Sequence, residues 1–121
     1  MKLKFAAAAF ATAVVAVPAV AHHSFAMFDT TKEVELKNAT VKDWQWTSPH
    51  TWLYVTTPDG KKWSIEGGNP GLMRRQGFTK GSMTPGMKIT VYIAPLRSGQ
   101  AGGAVNAVVL PGGKTLGERK K

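Results

Sequence analysis

The stretch NPGLMRRQG, Asn69–Gly77, decides how the strand-like segments on either side of it are connected. Asparagine is a strong N-cap because its side-chain oxygen can take an unpaired backbone N–H of the first turn. Proline suits the first helical position, where its missing N–H costs nothing. Glycine suits the left-handed residue just past the last turn. The stretch predicts a short helix with Leu72 and Met73 turned inward and Arg74 and Arg75 turned outward.

Upstream, EVELKNATVKDWQW (Glu33–Trp46) alternates apolar and polar residues as a half-buried strand does. The parity slips between Leu36 and Ala39, so a bulge or bend at Asn38 is expected, letting one strand serve two sides of a curved sheet. After a turn at Thr47-Ser48-Pro49, the run HTWLYVTT carries the β-branched and aromatic residues that suit a pleated surface. Pro58-Asp59-Gly60 is a turn, and KKWSIEG returns as a third strand. Downstream of the helix, MKITVYIAP alternates through Ile89, Val91 and Ile93. A glycine-rich turn at Gly99–Gly103 then leads into AVNAVVL, which Pro111-Gly112-Gly113 ends. Three meander strands, a helix and two further strands give the order of a mainly β, OB-like, five-stranded antiparallel barrel with its helix between strands three and four. An open sheet or small sandwich with the same strands is the alternative, because strand count alone does not prove closure.

The chain opens with the basic residues Lys2 and Lys4, then an Ala/Val/Phe run to Val17, then Pro18 and the small-residue pattern Ala19-Val20-Ala21. The apolar run is too short to span a bilayer and ends as a secretory signal does, so cleavage is expected after Ala21. Residues 1–21 are the expected signal peptide, 22–113 the barrel domain and 114–121 a loose basic tail, with no transmembrane segment in the mature chain and the periplasm as its destination. Removing residues 1–21 leaves 100 of the 121, and taking away Lys2 and Lys4 lowers the formal charge from +9 to +7. That field favours anionic partners, although it also serves simply to keep a small domain soluble. The absence of cysteine excludes disulfides, thiolate metal sites and cysteine nucleophiles, so the core alone must hold the domain together.

The segments AHHSFAMFD, VKDWQWTSPHTWLYV and WSIEGGNPGLMRRQGFTKGSMTPGMKITV, followed by a glycine-rich turn before the last strand, together resemble the DUF6152 family of small exported proteobacterial proteins. The resemblance spans essentially the whole mature domain. It implies export and a small β fold, and it leaves the chemistry open because the family's function is unknown.

Catalytic groupings are hard to find. The acids of the mature chain fall on alternating or turn positions without an evident pair, and Ser24, Ser48 and Ser64 lack a base and an orienting partner, so the chain does not read as an enzyme. Gly67-Gly68 ahead of the helix could offer N–H groups to an anion, but a strand-to-helix turn explains the same glycines more simply.

The histidines say more. Cleavage after Ala21 would give His22 a free α-amine beside its own imidazole, and His23 a further nitrogen. Either the amine with the His22 ring, or the amine with the His23 amide and ring, chelates a metal ion, and such nitrogen sets suit Cu(II) best among the divalent ions. Protons leave an α-amine and an imidazole near neutral pH, so a metal can displace them. His50, at the mouth of a hairpin, would complete a histidine-brace-like site if the N-terminal segment folds across that mouth, and Met27 adds a soft thioether nearby. Copper bound at His22, His23 and His50 is therefore the leading expectation. A polar cleavage junction and a turn histidine stacking on tryptophan are the plainer account of the same residues. The competing functional reading is a metal-free face of Trp44, Trp46, Trp52 and Trp63 on neighbouring strands, taking a small ligand, a glycan, a lipid headgroup or another periplasmic protein. Nucleic acid is not expected for an exported chain. Some of these tryptophans are expected to fill the core instead.

Overall fold

The computed structural model describes residues 25–121 together with Ala9. The expected signal peptide, its cleavage site and both N-terminal histidines, His22 and His23, lie outside the described residues apart from Ala9.

The first strand, β1 (Val34–Gln45), pairs with two neighbours, and bulges bend it between them. Its register against the fourth strand shifts between Leu36 and Ala39, where Asn38 adopts φ 51°, a left-handed conformation that asparagine tolerates better than most residues. Leu36 and Ala39 thereby both point into the core although they are three residues apart. A second shift, between Val41 and Asp43, bends β1 again where it joins the hairpin of β2 (Trp52–Thr56) and β3 (Lys62–Glu66). The turn at Ser48-Pro49 contains a cis peptide bond.

The helix α1 (Pro70–Arg75) forms where its capping residues place it. Asn69 Oδ1 accepts from Leu72 N at 2.9 Å, Pro70 begins the first turn, and Gly77 takes φ 95° just beyond the end. A helix of six residues has little stability alone, so it depends on these caps and on Met73, which is 1% exposed. Leu72, expected to face inward with it, is instead 39% exposed: consecutive helical positions lie about 100° apart, and only one of the two can face the core squarely. Met73, Phe78 and Met83 from this connection join the core cluster of Leu53, Val55, Ile65, Val91 and Ile93. Burying a side chain of the size of Phe78 stabilises the fold by roughly 1.5–3 kcal/mol.

Strands β4 (Lys88–Pro95) and β5 (Gly102–Val109) complete the barrel, in the order β3-β2-β1-β4-β5 with β5 returning to β3. Closure requires close backbone approach. A Cβ on Gly103 would lie 2.4 Å from the Ala94 carbonyl oxygen, and one on Gly102 would lie 2.9 Å from that of Ser64. The barrel is mixed, which corrects the expectation of a wholly antiparallel one. Four of its pairings are antiparallel, but Ser64–Glu66 run parallel to Gly102–Ala104. The reason is arithmetic: strands that alternate in direction around a ring of five must meet one neighbour running the same way.

Residues 114–121, expected to be loose, carry a sixth strand, β6 (Thr115–Gly117), on the free edge of β5. Leu116 is buried and gives the basic segment an apolar anchor. Glu33 fastens the residues beyond β6, accepting from Lys120 N at 2.7 Å and Arg119 Nε at 3.2 Å, and it also accepts from Asn106 Nδ2 of β5 at 3.0 Å. The Arg119 guanidinium sits 3.9 Å from the centre of the Tyr92 ring. Burial acts to raise the Glu33 carboxyl, but the hydrogen bonds from Lys120, Asn106 and Arg119 prevail and hold it below the ordinary carboxylate range.

Candidate functional site

His50 stands just before β2, on a turn that is tied to the β3–α1 junction. Thr51 N and Thr51 Oγ1 both donate to Gly68 O at 2.9 Å, Gly67 N donates to Thr51 O at 2.9 Å, and Thr47 Oγ1 donates to His50 O at 2.6 Å. The Gly67 N–H considered for an anion is thus spent on the backbone. This lacing sets the His50 ring against the end of β3, where Nδ1 lies 3.2 Å from Glu66 Oε1 and 3.2 Å from Gly67 O. Two acceptors facing one ring nitrogen place the proton on Nδ1. In the neutral ring, Nε2 then carries the lone pair that a metal ion or an acid would use.

Glu66 is 7% exposed, an uncommon position for a carboxylate. It borders two cavities of about 220 and 200 Å³ that share Phe28 and Glu66 as lining. His50, Leu72 and Met73 line the first; Met27, Trp52 and Leu96 line the second. The beginning of the described chain is fastened at this same end of the barrel. Phe25–Met27 form a 3-10 turn and Phe28 bridges to Leu96. Arg97 N donates to Met27 O at 2.9 Å, and Arg97 Nε donates to Ala26 O at 3.0 Å. A buried acid, a histidine with a fixed tautomer and the N-terminal segment therefore meet around one pair of cavities.

A comparison with known protein families matches residues 10–106 to DUF6152, a family of unknown function. The chain belongs to this family. No curated protein and no solved structure matches it. The match to DUF6152 takes in β1 to β4, His50, Glu66 and the N-terminal histidines, and it ends within β5, ahead of β6.

Of the residues expected to form a site in this DUF6152 protein, His50 has the setting just described, while His22 and His23 lie outside the described residues. No group of three or more His, Cys, Asp or Glu side chains among the described residues is close enough to hold a metal ion. His50 and Glu66 supply one nitrogen and one carboxylate. A chelate at this end of the barrel fits the chain only if the N-terminal segment contributes the remaining donors.

The four tryptophans divide between two sides of the sheet. Trp44 and Trp63 stand opposite Leu53 and Val55, the core-facing residues of β2, and pack against the core cluster. Trp44 Nε1 donates to Thr79 O at 3.0 Å, and its ring lies 5.9 Å from Phe78 and 5.7 Å from Trp46. Trp46 is covered in turn by the Arg74 guanidinium, 5.5 Å away. Trp52 is on the outer face, stacked on Tyr54 at 6.3 Å with an 18° angle between the rings. All four are half-buried. Trp44 and Trp46 meet, while Trp52 and Trp63 each stand apart from that pair.

Glu66 was not among the residues singled out by the sequence. Its signal was nonetheless present: the hairpin is symmetric about Asp59, so Glu66 pairs with Trp52 and reaches the level of His50.

Proposed function

We propose that this protein is a periplasmic metal-binding accessory protein, without catalytic activity of its own, and that its ion is copper. The ligands are the α-amine exposed by cleavage after Ala21, the imidazole of His22 or His23, and Nε2 of His50. The carrying observation is that Phe28 and His50 line one cavity. With Phe25–Met27 in a 3-10 turn, five residues of chain span at most about 13 Å, which bounds how far His23 can stand from Phe28 and the cavity it shares with His50. The Nδ1–H contacts to Glu66 and Gly67 supply the outer-shell support that orients a ligating histidine.

The test is a Cu(II) titration of chain beginning at His22, its N-terminus confirmed by mass spectrometry, beside the same chain preceded by one glycine. The expected result is one ion per chain for the first, weakening as pH falls because protons compete for the same lone pairs, and a clear loss of affinity for the second. The extension turns the amine of His22 into an amide and removes a strong donor. Equal affinity for the two chains would refute the amine ligand.

One observation favours a second reading. The outward stack of Trp52 on Tyr54 offers a flat ligand a surface with no need of metal, and ligand-induced quenching of tryptophan fluorescence, abolished by Trp52→Ala, would support it.

A further inference from the structure

The registers of four strands line up one row of side chains on the outer face of the barrel. Lys88 of β4 is opposite Thr40 of β1, Thr40 is opposite Thr56 of β2, and Thr56 is opposite Lys62 of β3. The inward neighbours of these residues, Ile89, Val41 and Val55, are core residues, so the row faces outward. Strands lie about 4.8 Å apart, and the row therefore reads ammonium, hydroxyl, hydroxyl, ammonium over about 14 Å.

Lys88 Nζ donates to Thr40 Oγ1 at 2.7 Å. Thr56 Oγ1, by contrast, is buried and has no hydrogen-bond partner among the described residues, a costly condition for a hydroxyl. A cavity of about 450 Å³ lies beside Thr56, flanked by Lys42 and Lys62 and lined also by Tyr54, Trp63 and Ser64, while the Thr56 hydroxyl itself is shut off from it. Neither Lys42 nor Lys62 forms an ion pair among the described residues. Asp43, on the adjoining row, is engaged by Gln45 Nε2 at 2.9 Å.

We propose that this row is a binding site for an acidic polysaccharide, a chain of sugars bearing carboxylates. The ammonium groups pair with the carboxylates, Ser64 exchanges hydrogen bonds with sugar hydroxyls, and Tyr54 lies under a ring face. The charge is complementary to a mature chain of formal charge +7, the +9 of the full sequence less Lys2 and Lys4. A lipid surface fits less well, because insertion needs an apolar ridge, and the exposed large hydrophobic residues, Met27 and Leu72, line the His50 and Glu66 cavities instead. The site is independent of the copper reading and is tested without metal.

The experiment is calorimetric titration of the mature chain, in the presence of chelator, with an oligogalacturonate and with its methyl ester, which keeps the sugars and removes the charge. Anionic phosphatidylglycerol vesicles and single-stranded DNA serve as competing probes. The expected result is binding to the acid that weakens with salt and is lost with the ester. Lys42→Ala, Lys62→Ala and Lys88→Ala should each lower affinity up to about fivefold, as expected for exposed ion pairs. Equal binding of acid and ester, affinity unchanged in all three lysine variants, or tighter binding of vesicles or DNA than of the acid would overturn the proposal.

Discussion

At the scale of single residues, the site depends on where one proton sits. His50 Nδ1 faces Glu66 Oε1 and Gly67 O at 3.2 Å each, so the Nδ1–H tautomer is the one the surroundings support, with Nε2 left as the donor. Nitrogen chemical shifts of the metal-free protein should therefore report a predominantly Nδ1-protonated neutral ring. Glu66→Ala should shift the balance toward Nε2–H, the form preferred by an unrestrained imidazole. A ring already protonated on Nε2 in the unaltered protein would contradict the orientation, whatever metal is bound. Trp44 shows the opposite use of a polar atom: its indole N–H ties the β3–β4 connection to β1 while its ring adds to the core.

At the scale of elements, the C-terminal segment behaves as part of the barrel because one carboxylate holds it. Glu33, at the entrance to β1, accepts from Asn106 of β5 and from Lys120 and Arg119 beyond β6. Its carboxyl is held below the ordinary range, so it stabilises the fold fully above the unfolded value, near pH 4.5, and that contribution is lost as pH falls through the lower folded value. Glu33→Ala should cost about 1–3 kcal/mol at neutral pH in urea unfolding, with the difference from the unaltered chain shrinking in acid. Amide exchange in β6 should speed up more than exchange in β1. A variant that loses nothing at neutral pH, or whose deficit grows in acid, would contradict this role. The segment looked loose in the sequence because four of its eight residues are Lys or Arg. The single apolar anchor, Leu116, is too short a signal to reveal a strand, and the partner Glu33 is more than eighty residues away. The helix was legible for the converse reason: Asn69, Pro70 and Gly77 state its ends locally, within nine residues of chain.

At the scale of the whole molecule, the chain order of the five barrel strands and the helix could be read from alternation and turn residues, and so could the bulge at Asn38. Closure and its one parallel seam could not, because they depend on how β5 meets β3 across glycines whose role is visible only when backbones approach. The candidate site divides the same way. His50 was conspicuous as one of three histidines, whereas the burial of Glu66 and the row of Lys62, Thr56, Thr40 and Lys88 emerge only from strand register. What the assembled barrel adds to the N-terminal histidines is a fixed imidazole at the end where the described chain begins, and this is the central claim. It is tested most directly by comparing Cu(II) affinity of the correctly processed chain with that of His50→Ala, both confirmed as folded by their circular dichroism. The predicted result is a loss of at least about tenfold in the variant, as expected when a ligand that the fold has oriented is removed. Unchanged affinity would show that the terminus chelates by itself and that His50 and its cavity take no part.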